Sequence, residues 1–211
     1  LHLRKLNKLE KNNGKYIFSK SNIRIFSDDV SSLERAFTDG KTLEQLGFDV
    51  FTGNLVWNQK KEFMSRDSND DILVWACNIV DNTLVLDHPK LCIEKPPGAD
   101  DAPKYQKGQY VKHTIDITPL KGECIVVNRV TGAGANAKIR AAILDQDGEY
   151  YIENHLNYII KKEKALCELK DVYEILIRKE TTDFVKNLTG NTQISKNELL
   201  KLIPFKIPTI A

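Results

Sequence analysis

Near residue 160 the apolar pattern of this chain changes period, and that change limits what it can fold into. Before it, apolar residues fall in short alternating or continuous runs. These are Lys15–Ser19 (KYIFS), Ile23–Phe26 (IRIF), Phe48–Trp57 (FDVFTGNLVW), Asp71–Ile79 (DILVWACNI), Thr83–Leu86, Cys124–Val130 (CIVVNRV), Lys138–Leu144 (KIRAAIL) and Tyr150–Ile160 (YYIENHLNYII). Side chains alternate between the two faces of a strand, so runs of this kind predict strands. After it, Leu166, Leu169, Val172, Tyr173, Leu176 and Ile177 recur at the three-four spacing of an amphipathic helix. Phe184, Val185 and Leu188 continue a second helical segment that stops at Gly190. Strands followed by helices predict an α+β fold: a curved mixed or antiparallel sheet, short helices before it and a C-terminal helical segment after it.

Local signals place the remaining elements. Ser31 with Glu34, Thr42 with Gln45 and Ser195 with Glu198 each fit a capping box, and Gly47 stops the second of these helices. Gly53 interrupts its strand where another backbone is expected to approach closely. Asp87 to Lys112 holds four prolines and two glycines and reads as a long surface loop. Thr131–Ala137 (TGAGANA) joins its flanking strands as a hairpin tip, and Pro204 and Pro208 close the chain. Residues 1–30 read as a basic lead-in from an upstream domain, 31–162 as the β-rich unit, and 163–211 as helices packing on it.

Composition excludes several classes. No stretch approaches the roughly 20 apolar residues of a membrane-spanning helix, no signal peptide opens the chain, and a cytoplasmic protein is expected. Cys77, Cys92, Cys124 and Cys167 form no C-x-x-C pair, and His2, His88, His113 and His155 are scattered, so reduced thiols and no zinc site are expected. Net charge is only +2, but its distribution is uneven. From Cys124 to Leu144 the only charges are Arg129, Lys138 and Arg140, while acidic residues gather elsewhere, notably from Asp67 to Asp71.

Three clusters carry the chemistry. The hairpin puts Arg129, Thr131, Asn136, Lys138 and Arg140 around a backbone with little side-chain bulk, which suits a sugar-phosphate chain or a groove. A Walker-type phosphate loop is excluded, because Lys138 leads into a strand rather than a helix. Thr52, Gly53, Asn54, Trp57, Asn58, Gln59, Lys60 and Lys61 set amides able to pair with base edges beside two cations, or form a solvated strand end. Glu153, Asn154, His155 and Asn157 combine donors and acceptors on one run, where alternation puts Asn154 opposite Glu153 and His155. The chain contains neither an Asn/Asp-Pro-Pro-aromatic turn for methyl transfer to a base amine nor a glycine-rich cofactor turn. Lys95-Pro96-Pro97-Gly98 lacks the flanking polar and aromatic residues and reads as a stiff loop.

The order of segments from about Thr42 to Pro208 resembles the carboxy-terminal half of adenine-specific type II restriction-modification DNA methyltransferases. The segments are Thr42–Phe63, Ile72–Ile79, Cys124–Leu144, Tyr151–Ile159 and Phe184–Pro208. The resemblance implies a target-recognition domain that reads duplex DNA. The catalytic domain, with its S-adenosylmethionine, would then belong to a part of the polypeptide absent here, and this fragment alone would not be an enzyme. Arg129, Lys138, Arg140, Lys60 and Lys61 are the expected phosphate contacts, and Asn58, Gln59, Thr131 and Asn136, with Thr52 beside them, the expected base-edge contacts. Val130 separates Arg129 from Thr131, where relatives run Arg-Thr. The alternatives are a separate specificity subunit of a type I-like complex, a small enzyme acting on phosphorylated substrates, and an interaction module burying its apolar strands against a partner.

Overall fold

The computed structural model describes residues 17–20, 23–26, 30–86, 108–129, 138–189 and 193–207. The strands in its first half are β1 (Ile17–Lys20), β2 (Ile23–Phe26), β3 (Phe48–Thr52), β4 (Met64–Ser65), β5 (Asp71–Val74), β6 (Ile79–Val80) and β7 (Thr83–Leu84). Then come β8 (Tyr110–Val111), β9 (Cys124–Asn128), β10 (Ala141–Leu144), β11 (Tyr150–Ile152) and β12 (Leu156–Lys161). The helices are α1 (Val30–Asp39), α2 (Leu43–Leu46), α3 (Leu169–Leu176), α4 (Lys179–Thr189) and α5 (Lys196–Lys201). The fold is α+β, as the change of period predicts, and its sheets are open.

The central sheet runs β10-β9-β12-β3, antiparallel throughout. Its register sets Ala141, Val127, Asn157 and Thr52 in one row and Ala142, Val126, Tyr158 and Phe51 in the next. Because alternate rows point to opposite faces, the sheet needs a cover on both sides. One face carries Val50, Ile125, Val127 and Ile159 into a core shared with Leu43, Val172, Leu176 and Leu199 of the helices and with Phe205 beyond α5. The other carries Val126, Ala142, Leu144 and Tyr158 against Val74, Ile79, Tyr150 and Ile152. Burying each such aliphatic side chain is worth about 1.5–3 kcal/mol, so neither face is dispensable. The second sheet, β11-β5-β8-β4, is mixed, with β11 parallel to β5, and its outer face closes on Leu55, Leu73, Trp75, Val111 and Tyr151.

The helix ends follow local chemistry in two cases of three. Thr42 and Gln45, and Ser195 and Glu198, form reciprocal capping boxes, and Gly47 ends α2 at a φ of 86°. Ser31 does not cap its helix: α1 already starts at Val30, so Ser31 lies inside the first turn. Two other readings are corrected. Tyr150–Ile160 is not one strand, because a turn at residues 153–155 sends β11 to the second sheet and β12 to the central one. The segment up to Lys112 is not all loop either. Tyr110 and Val111 pair with both β4 and β5, while residues 87–107 lie outside the described residues. Phe37 of α1 meets Phe184 of α4 edge to face, and Lys41 pairs with Phe205, so the segment around α1 packs on the C-terminal part of the chain.

Candidate nucleic-acid interface

Antiparallel pairing decides which residues share an end of the central sheet. β9 ends, and β10 and β12 begin, at the same edge, so Arg129, Lys138, Arg140 and His155 meet there. Asn128 builds this end. Buried, it accepts a hydrogen bond from the Arg140 amide through Oδ1 and donates to the Lys138 carbonyl through Nδ2, which fixes the two arms of the hairpin. Ile139 enters the helix-side core and its amide donates to Thr182 Oγ1 at 3.2 Å. Alternation therefore turns Lys138, exposed, and Arg140, half-buried, the other way. Among the described residues neither makes an ion pair.

Arg129 has a different position. Its amide donates to the His155 carbonyl at 3.0 Å, its carbonyl accepts from the Ile194 amide at 2.8 Å, and its guanidinium donates to the Asn154 carbonyl at 2.7 Å. This arginine ties the hairpin base to the β11–β12 turn and to the segment before α5. Its Nε and the Asn154 Oδ1 are enclosed without a hydrogen-bond partner among the described residues. Thr52 is likewise engaged: its hydroxyl donates to Asn157 Oδ1 at 2.8 Å, and the Asn157 amide donates to the Ile194 carbonyl. Asn157 is fully buried, so this chain of bonds holds β3, β12 and the C-terminal segment together.

Gly53 behaves as its sequence position predicts. A Cβ there would lie 2.3 Å from the Glu153 carbonyl oxygen and 2.4 Å from that of Ile152. Only a glycine lets the end of β3 close on the β11–β12 turn. Within that turn Glu153 and His155, which alternation already places on one face, pair with each other.

The second predicted cluster is not brought to the hairpin. Beyond Leu55 the chain enters the outermost layer, where Trp57–Gln59 and Lys61–Phe63 form two short 3-10 turns against Trp75. Asn58 and Gln59 are exposed there. Lys60 pairs with Asp116, whose carboxyl it holds below the usual range, and Lys61 lies over the Trp57 ring at 6.0 Å. Thr131 and Asn136 lie outside the described residues. Asn128 is the functional-end residue that pattern reading missed. Its only signal is an amide closing the apolar run CIVVN.

The opposite end of the central sheet has the opposite character. Glu123 precedes β9, Asp145 follows β10, and Asp147 and Glu149 lie in the turn to β11. Three of the cations there are paired: Lys121 with Glu149, Lys161 with Glu168 and Lys162 with Asp49. Among the described residues no group of three or more metal-ligating side chains occurs, and no helix is long and apolar enough to cross a membrane.

Comparisons with protein-family models, curated proteins and solved structures gave no match to this chain.

Proposed function

We propose that this chain is the sequence-specific duplex-DNA recognition domain of an adenine-specific DNA methyltransferase from a restriction-modification system. The observation that supports it best is the charge segregation along the central sheet: among the described residues Lys138 and Arg140 make no ion pair at one end, while Lys121, Lys161 and Lys162 at the other end are paired with carboxylates. Phosphate binding needs cations that are free to release their counterions. Lys138 and Arg140 are the phosphate contacts in this reading, and Arg129 sets their position. The amide and hydroxyl groups near residue 131 supply base-edge contacts, and Asn58 and Gln59, bordered by Lys60 and Lys61, form a separate second patch for them. Methyl transfer and S-adenosylmethionine belong to a separate catalytic domain of the same polypeptide, and the compartment is the cytoplasm.

Selection from a random-sequence duplex pool tests this. Enrichment of a single motif by the 211-residue chain is the expected result. Absence of binding at low salt, or binding that enriches nothing, contradicts it.

A further inference from the structure

Glu153 is the one carboxylate among the described residues that is almost fully buried, its side chain 2% exposed, while its partner His155 is 60% exposed. Burying a carboxylate is costly unless its oxygens are bonded. Here both are bonded to the same residue: Oε2 accepts from the His155 amide at 2.9 Å and Oε1 lies 2.6 Å from His155 Nδ1. Holding the turn requires only the first of these. The second fixes the ring.

A carboxylate accepts hydrogen bonds and does not donate them, so Nδ1 is the protonated nitrogen of the neutral imidazole. Nε2 is then a bare acceptor on the exposed side of the ring, at the same end of the sheet as Lys138 and Arg140. Phosphate oxygens also only accept, so in the singly protonated ring this nitrogen is mismatched to a phosphate. It matches a donor, and base edges offer one in the exocyclic amines of adenine and cytosine.

We propose that His155 is a specificity-determining residue that accepts a hydrogen bond from the exocyclic amine of an adenine or cytosine, with Glu153 as the positioning residue that sets its tautomer. The inference rests on the DNA-binding reading above and names one base contact within it. The turn is suited to the task because its backbone is held by three hydrogen bonds, to Leu55 and Arg129. Asn154 N donates to the Leu55 carbonyl, the Asn154 carbonyl receives the Arg129 guanidinium, and the His155 carbonyl receives the Arg129 amide.

Two variants test it without removing the turn. His155→Asn keeps an amide nitrogen near Glu153 but removes the outward acceptor. Selection from a random duplex pool is expected to return the wild-type motif with discrimination at one A- or C-bearing position reduced about tenfold, and an unchanged slope of affinity against salt. Glu153→Gln must keep its oxygen on the His155 amide, so its NH2 group donates to Nδ1 and forces the proton onto Nε2. That variant is expected to shift preference at the same position from adenine or cytosine toward the carbonyl-bearing guanine or thymine. Urea midpoints establish that both variants are folded. An unchanged motif in both folded variants overturns the assignment while leaving the DNA reading intact, as does a reduced salt slope with an unchanged motif, which would mark a phosphate contact. Failure of the wild-type chain to enrich any motif overturns the DNA reading itself, and His155 with it.

Discussion

Substituting Gly53 by alanine tests whether the end of β3 is locked against the β11–β12 turn. The added Cβ would stand 2.3 Å from the Glu153 carbonyl oxygen, 2.4 Å from the Ile152 oxygen and 2.7 Å from the Glu153 carbonyl carbon. All three are backbone atoms, so no side chain can swing aside. Contacts below 3.0 Å are essentially never seen for a Cβ, so the two segments must part by at least 0.7 Å, the difference between 3.0 and 2.3 Å. They are joined by the hydrogen bonds from Gly53 N to Leu156 O at 2.9 Å and from Leu55 N to Ile152 O at 3.3 Å. Losing one buried bond costs about 1–3 kcal/mol and overpacking a further 1–3 kcal/mol, so a loss of about 2–6 kcal/mol is expected. Urea unfolding reads this directly: with a slope of about 2–3 kcal/mol per molar, the midpoint falls by roughly 1.5 M. A Gly53→Ala variant that loses less than about 1 kcal/mol refutes the close approach, and with it the rigid seat assigned to His155.

Three further outcomes are expected. Asn157→Leu strands the Thr52 hydroxyl and the Ile194 carbonyl and should cost about 2–4 kcal/mol by chemical denaturation, whereas near-neutrality would show that the polar chain across β3, β12 and the C-terminal segment is dispensable. Burial pushes the Cys124 thiol up to about 11, above its unfolded value near 9. The folded state therefore keeps a proton that the unfolded state gives up. This contribution is complete below pH about 9 and is lost as pH rises through 11, up to roughly 2–3 kcal/mol. Cys124→Ala should flatten the decline in urea stability between those limits, and an equally steep decline in the variant would exclude the thiol as its source. Asp116→Ala releases Lys60 and should tighten binding to random duplex without moving the unfolding midpoint, while weaker binding would count against Lys60 as a phosphate contact.

Much of the architecture was legible in the residues because it depends on near neighbours. Thr42 with Gln45, Ser195 with Glu198, the glycine at 47, and the three-four spacing from Leu169 onward all act within a few residues of themselves. What was not legible depends on distant partners. Tyr150–Ile160 reads as one strand because it is buried on both sides, and period alone cannot reveal that Ile152 follows β5 while Leu156 follows β9. Tyr110 and Val111 form a strand through pairing with residues some 40 positions earlier, in a stretch whose prolines argue for loop. The candidate interface divides in the same way. Strand order alone brings Arg129, Lys138 and Arg140 together, but Asn157 engages Thr52 from 105 positions away and Asp116 engages Lys60 from 56. Glu153 and His155 share a face by alternation, but the turn that buries the carboxylate and leaves the ring exposed falls where the pattern predicts a continuous strand.

The most direct measurement is the salt dependence of duplex binding by the wild-type chain and by a Lys138→Ala/Arg140→Ala double variant. Each neutralised phosphate contributes about 0.9 to the slope of log affinity against log salt. The double variant is therefore expected to bind more weakly at every salt concentration, with a slope shallower by about 1–2. A control pair at the far end of the sheet, Glu123→Ala/Asp145→Ala, should leave the slope where it is. Equal slopes for the wild type and the Lys138→Ala/Arg140→Ala variant would contradict the account, because the unpaired cations at that end of the central sheet would then have no phosphate to meet.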